Sequence, residues 1–188
     1  MNSESATLRA RNLRMLAALA GVFLLPLVLA FLVYYATPWR PAARLNHGTL
    51  ITPPRPLPGD AALFRNKWSL VYVGDGSCDS SCRAALYVMR QTRLSLNNDM
   101  TRVQRVFLAT DGCCNRQFLA REHADLVLVN AAGAAAQPLL RTFPADGQAY
   151  SLFIVDPLGN LMMSFDARQN PRGLLEDLRK LLRLSQIG

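Results

Sequence analysis

From Met15 to Tyr35 the chain carries no charged side chain. At about 1.5 Å per residue that run matches the roughly 30 Å of hydrocarbon in a bilayer. Arg9, Arg11 and Arg14 precede it, offset only by Glu4, while Tyr34, Tyr35 and Trp39 cluster at its far end. Basic residues are retained on the cytoplasmic side and aromatic rings gather at membrane interfaces. The expected arrangement is therefore a cytoplasmic N-terminus (1–14), a transmembrane helix (15–35) mildly kinked at Pro26, and a C-terminal part on the periplasmic side of a bacterial-type inner membrane. A cleavable signal peptide shares the charged start and the apolar run, but its apolar core is shorter, and Tyr34 stands where cleavage after Ala36 would want a small residue. On either reading the rest of the chain folds outside the cytoplasm, where disulfides persist.

The 188 residues leave room for one compact domain beyond the anchor, and 51% apolar residues with no polar low-complexity tract make that domain globular. The net charge of +8 leaves an excess of basic groups outside the membrane. That excess is either a solvated surface or a patch for anionic lipid or an acidic protein. No nucleic-acid-binding motif and no interleaved basic-aromatic stretch is present, so nucleic acid is not an expected partner.

Residues 36–62 include Pro38, Pro41, Pro53, Pro54, Pro56 and Pro58, which exclude a helix and a central strand and define a semi-rigid tether. Leu45, Leu50, Ile51 and Leu57 suggest that part of it lies along the domain. In the domain proper, 63–188, Trp68–Val73 reads as a buried strand ending at Gly74-Asp75-Gly76. A helix follows from Asp79 to about Leu96, with Ala85, Leu86, Met89 and Leu96 on one face. Val103–Thr110 is a second strand, Asn115–His123 a short helix and Leu126–Asn130 a third strand, a βαβαβ order that implies parallel strands. Ser151–Val155 and Leu161–Phe165 flank Asp156-Pro157-Leu158-Gly159-Asn160 and form a hairpin. Asn170 caps a final helix with Pro171 in first position and a stripe of Leu174, Leu175, Leu178, Leu181 and Leu182. Parallel βαβ units, an antiparallel hairpin and a terminal helix define an α/β, thioredoxin-like three-layer α/β/α sandwich carried on a transmembrane helix.

Cys78 and Cys82 fall between the first strand and the following helix, where free backbone amides and the helix dipole favour a thiolate. Asp79 acts against that, since a neighbouring carboxylate raises a thiol pKa. The spacing puts the two sulfurs about one helical turn apart, close enough to close a disulfide or to hold Cu(I) between two thiolates. The expectation is a pair exposed together at the strand–helix junction. Cys113 and Cys114 follow the second strand and should reach the same sheet edge, where ligand sites of open α/β sheets lie. They are candidate resolving or accessory thiols, candidate further metal ligands, or unreactive loop cysteines. His47 and His123 are lone histidines with an expected surface or capping role.

An N-terminal anchor, a Pro-rich lead-in, the CxxxC of GDGSCDSSC after a strand, and the hairpin YSLFIVDPLGNLMMSF together resemble the SCO/SenC family. These are membrane-anchored thioredoxin-fold proteins that help mature the dinuclear copper centre of cytochrome c oxidase. The resemblance spans nearly the whole chain, and the CxxxC in its setting is its specific part. It implies that Cys78 and Cys82 bind copper with one histidine or act as a dithiol reductant, and that the partner is an oxidase copper-site subunit. Alignment on Asp156-Pro157 puts Gln148 in place of the family's histidine, so a third copper ligand would have to come from Cys113, Cys114, Met162, Met163 or His47. The proline that lies against the cysteines of a general thioredoxin would fall near Tyr150 or Ser151, and none is there. Three functions follow: a SCO-like oxidase assembly factor, a broader extracytoplasmic thiol–disulfide oxidoreductase with Cys78 as nucleophile, and a non-catalytic interaction protein on a thioredoxin scaffold.

Overall fold

The computed structural model describes residues 2–36, 46–58, 61–112, 114–146, 148–169, 171–185 and 187. The chain forms two compact units, Met1–Arg44 and Leu45–Gly188. The first contains helix α1, Asn2–Ala36, with Pro26 inside it. Its stretch Arg11–Ala36, with a mean hydropathy of 2.8, is long and apolar enough to cross a membrane. The side chains described there, from Arg11 on, are all exposed, as expected of a helix whose apolar surface is covered by lipid rather than protein.

The second unit begins with a strand that lies inside the Pro-rich stretch. Strand β1, Thr49–Pro56, pairs antiparallel with β6, and its prolines are tolerated because it is an edge strand with few ladder donors to supply. The remaining elements are β2 (Trp68–Gly74), α2 (Ser80–Leu94), β3 (Val103–Ala109), α3 (Arg116–Glu122), β4 (Leu126–Asn130), the single turn α4 (Gln137–Leu140), β5 (Ser151–Val155), β6 (Asn160–Asp166) and α5 (Pro171–Leu184). The sheet order is β1-β6-β5-β2-β3-β4, with β2, β3 and β4 parallel and β5, β6 and β1 antiparallel to their neighbours. Met162 is the extra residue of a bulge, since Ile154 pairs with Met163 and Val155 with Leu161. Asn170, expected to cap α5, lies outside the described residues, while Pro171 does open that helix.

The central strands are apolar on both faces because both are covered. On one face Leu70, Tyr72, Phe107, Leu152 and Ile154 pack with Leu86 and Met89 of α2, Leu119 of α3, and Leu174 and Leu178 of α5. On the other, Val71, Val73, Val106, Leu108 and Phe153 pack under Leu57, Phe64 and Phe143, with Leu139 and Leu140 of α4 alongside. These are the three layers of a thioredoxin-like fold.

One position breaks the apolar alternation of β3. Arg105 is fully buried on the face that also holds Val103 and Phe107. Its guanidinium pairs with Asp125 and meets His123 Nδ1 at 3.2 Å. A buried cation survives only when paired and hydrogen-bonded. His123 is itself buried and is the C-cap residue of α3. Burial first, then the positive charges of Arg105 and Arg90, hold its pKa below the ordinary 6.5.

Candidate functional site

Strand β2 stops at Gly74 because the next five residues bond to one another and to the loop after β3. Ser77 N donates to Asp75 Oδ1 (2.7 Å) and Cys78 N to the Asp75 carbonyl (3.2 Å). Across the loops, Gly76 N donates to the Asp111 carbonyl (2.7 Å) and Asn115 N to the Gly76 carbonyl (3.0 Å). The hydrogen bonds from Ser77 hold the exposed Asp75 carboxyl below its usual range. Gly112, at φ +52, lets the second loop approach so closely, since a Cβ there would stand 2.8 Å from Asp75 Oδ1. Cys78 itself has φ +54, a left-handed conformation that costs a non-glycine residue about 1–2 kcal/mol.

Cys78 and Cys82 form a disulfide, with S–S 1.98 Å and Cα–Cα 5.0 Å. Asp79 is the N-cap of α2, its Oδ1 accepting from Cys82 N at 2.9 Å. The amide that could have stabilised a Cys82 thiolate is thus taken by a carboxylate. Arg83 Nε donates to the Cys78 carbonyl (3.3 Å), and its guanidinium lies 4.9 Å from the Phe118 ring centroid.

The expected exposure of the pair is corrected by the structure. Cys78 is 1% and Cys82 2% exposed, and both belong to the core cluster that includes Tyr72, Leu86 and Met89, with Phe118 and Cys114 packed against it. The reason is that a bridged pair has given up its ionisable thiols and packs as an apolar group, so the core draws it in. Cys114 is also disulfide-bonded. Cys113 lies outside the described residues.

The expected convergence at this sheet edge holds for Cys78, Cys82 and the Cys114 loop. Next to them sits the turn Gln148–Tyr150, which packs on α2 and β2. Gln148 therefore does stand beside the cysteine helix, but its Nε2 points to the Phe143 carbonyl at 3.5 Å. Tyr72 O–H donates to the Ala149 carbonyl (3.2 Å). Burial, then the charges of Asp79 and Tyr150, push the Tyr72 pKa up to about 12, so it remains a donor. Tyr72 and Tyr150, the latter under the Arg168 guanidinium at 4.0 Å, complete the rim. Sequence reasoning missed both, because nothing in a strand tyrosine such as Tyr72 or a turn tyrosine such as Tyr150 marks which sheet edge it reaches.

The other candidate ligands lie elsewhere. His47 is held on α5, its Nδ1 3.2 Å from Asp177 Oδ1 and Nε2 3.5 Å from Glu176, while the backbone N–H groups of His47 and Gly48 both donate to Asp177 Oδ2 at 2.8 Å. His123 is committed to Arg105. Met162 and Met163 sit in mid-hairpin, Met163 opposite Leu50 of β1. Among the described residues no group of three or more His, Cys, Asp or Glu side chains could hold a metal.

A cysteine pair bridged between the first parallel strand and its helix, on a mixed sheet completed by a hairpin and a terminal helix, defines a thioredoxin-like domain. Residues 68–185 match the family described as transmembrane-like, thioredoxin-like, C-terminal domain, and the chain belongs to that family. In fold it is similar to Sco1/SenC proteins. Apo Sco1 from Thermus thermophilus superposes with a TM-score of 0.59 at 18% identity, over 74% of this chain and 99% of that one. Copper-bound yeast Sco1 gives 0.57 at 12% identity over 65% and 82% of the two chains, and copper-bound ScoI from Arabidopsis thaliana 0.54 at 14% over 66% and 89%. At these identities the likeness is one of fold. No curated protein matches the sequence.

Proposed function

We propose that the domain is a membrane-tethered thiol–disulfide exchanger that acts on the periplasmic side of the inner membrane, on the paired cysteines of an oxidase copper-site subunit during cytochrome c oxidase assembly. The observation that carries this reading is the Cys78–Cys82 bridge at the sheet edge where open α/β folds place their ligands. The SCO-like fold of the whole domain supports the choice of partner.

In the reduced form, the Cys78 thiolate attacks one sulfur of the partner's disulfide, a mixed disulfide forms, and the partner's other sulfur leaves as a thiolate. The Cys82 thiolate then attacks Cys78 Sγ, closing the bridge seen here and releasing the second partner thiol. Two electrons pass from the domain to the partner, and the protons of Cys78 and Cys82 end on the partner's thiols. An extracytoplasmic dithiol resets the pair. Both sulfurs are covered in the bridged state, so the loop from Asp75 to Asp79 must move for exchange to occur.

Two thiolates would also accept Cu(I) as cargo. The third ligand expected of a copper-binding SCO protein is replaced by Gln148, which favours exchange over copper carriage. The test is anaerobic mixing of the reduced full-length chain in detergent with an oxidised peptide carrying an oxidase copper-site cysteine pair. The expected result is one more peptide disulfide reduced per chain by the parent than by the Cys78→Ser/Cys82→Ser variant, since the Cys114 disulfide is opened by reduction in both. An unreduced peptide overturns the proposal, and equal rates on unrelated disulfides replace it with the broader oxidoreductase.

A further inference from the structure

The parallel strands give the domain two ends. Cys78 follows the last residue of β2 at one of them. At the other, Arg65 and Lys67, both exposed, directly precede β2, and Arg102 directly precedes β3. The C-terminal half of α5 reaches this second end, because Arg102 donates to the carbonyls of Leu182 (3.1 Å) and Ser185 (2.7 Å), and Arg179 to that of Ser95 at the C-cap of α2 (2.7 Å). Lys180 and Arg183 continue the same helix, beside Leu184, which is 77% exposed.

Among the described residues, the acidic groups at this end are engaged within the domain. Asp99 pairs with Arg102 (3.2 Å) and Asp125 with Arg93 (2.8 Å) and Arg105. Asp156 accepts from the N–H groups of Leu158 (2.9 Å) and Asn160 (2.8 Å) in its own turn, and Glu176 stands 3.5 Å from His47. Arg65, Lys67, Lys180 and Arg183 form no ion pair among the described residues. The cysteine end is mixed in charge, with Asp75, Asp79 and Asp111 in its loops beside Arg83, Arg116 and Arg168.

A basic surface flanked by an exposed leucine is what an anionic lipid interface attracts. The chain between Ala36 and Asn46 can span at most about 35 Å even fully extended. The domain of an anchored chain therefore stays at a high effective concentration beside the bilayer. We propose that this basic end, through Arg65, Lys67, Lys180 and Arg183 with Leu184 at its edge, docks on the anionic phospholipid headgroups of the membrane that holds α1. Docking this way presents the Cys78–Cys82 edge away from the lipid, farther out by the length of β2, about 20 Å. This inference does not depend on the redox proposal and survives its failure.

Hydrogen–deuterium exchange of the full-length chain tests it, in nanodiscs of phosphatidylcholine alone and of an equimolar mixture with phosphatidylglycerol. Amides of the C-terminal turn of α5 and of residues 65–67 should exchange more slowly in the anionic discs, and added salt should abolish the difference. Each basic side chain near an anionic surface contributes about fivefold to the docked-to-free ratio, so Lys180→Gln with Arg183→Gln should lower it about 25-fold. A far-UV spectrum and a Cys78–Cys82 bridge like those of the parent show that the variant is folded. Equal exchange in the two discs, as an acidic protein partner would give, overturns the proposal. So does anionic protection that the variant retains.

Discussion

Asp79 holds two roles with opposite consequences, and replacing it separates them. Its carboxylate caps α2 through Cys82 N at 2.9 Å, and loss of such a cap costs about 1 kcal/mol. That should lower the unfolding temperature of the bridged domain by about 3 °C. The same carboxylate is next in sequence to Cys78 and occupies the amide of Cys82, so in the reduced protein it disfavours both thiolates. Removing it should lower the pKa of the attacking thiol by about one unit, which raises the thiolate fraction near neutral pH about tenfold. Intrinsic nucleophilicity falls with pKa at a Brønsted slope of about 0.4–0.5, leaving a net rate gain of about threefold. Asp79→Ala should therefore be less stable when oxidised yet faster to alkylate when reduced. Asp79→Asn keeps the cap and drops only the charge, so it should gain the rate while keeping stability to within a few tenths of a kcal/mol. Thermal unfolding of the oxidised chains and iodoacetamide kinetics of the reduced ones measure both quantities. An Asp79→Asn rate equal to or below the parent's would refute the assignment of Asp79 as a brake on the thiolate.

Two further outcomes follow from the buried groups and the loop contact. His123 has a folded pKa below its ordinary 6.5, so on acidification the unfolded chain binds the proton first. The stability this confers is present above pH 6.5 and is lost as the pH falls below that value, with a slope of at most about 1.4 kcal/mol per pH unit. Urea unfolding between pH 7 and 5 should show the loss, and His123→Gln should flatten it. Gly112→Ala places a Cβ 2.8 Å from Asp75 Oδ1 at φ +52 and should cost about 1–2 kcal/mol. It should also speed trypsin cleavage at Arg116 by loosening the loop pair.

The strands and helices that build the sheet were legible because β2, β3 and β5 bury both faces and α2 and α5 bury one, and those burials print their periods directly on the sequence. Leu126–Asn130 and Ser151–Val155 are observed with the bounds their patterns suggested. Strand β1 was not legible as a strand, since its prolines forbid the central position that an apolar pattern would reveal and leave only an edge. Arg105 was equally opaque. A charge within VQRVFLA reads as a solvent-facing residue, and only the fold brings Asp125 and His123 to it. At the site, the position of Cys78 and Cys82 followed from the strand–helix junction, and the approach of the Cys114 loop followed from parallel β2 and β3. Their burial did not, because Phe118 and Cys114, which pack against their cluster, and the Gln148–Tyr150 turn, which packs on α2, are distant in sequence.

Exchange requires Cys78 to leave its covered position and bond a partner's sulfur. Mass spectrometry of the Cys82→Ser/Cys113→Ser/Cys114→Ser chain, reduced and then mixed with the oxidised copper-site peptide, reads this out, because that chain keeps Cys78 and has no thiol left to resolve the mixed disulfide. A covalent adduct at Cys78 that a small dithiol reverses is the expected result. An unmodified Cys78 in that folded chain would contradict it.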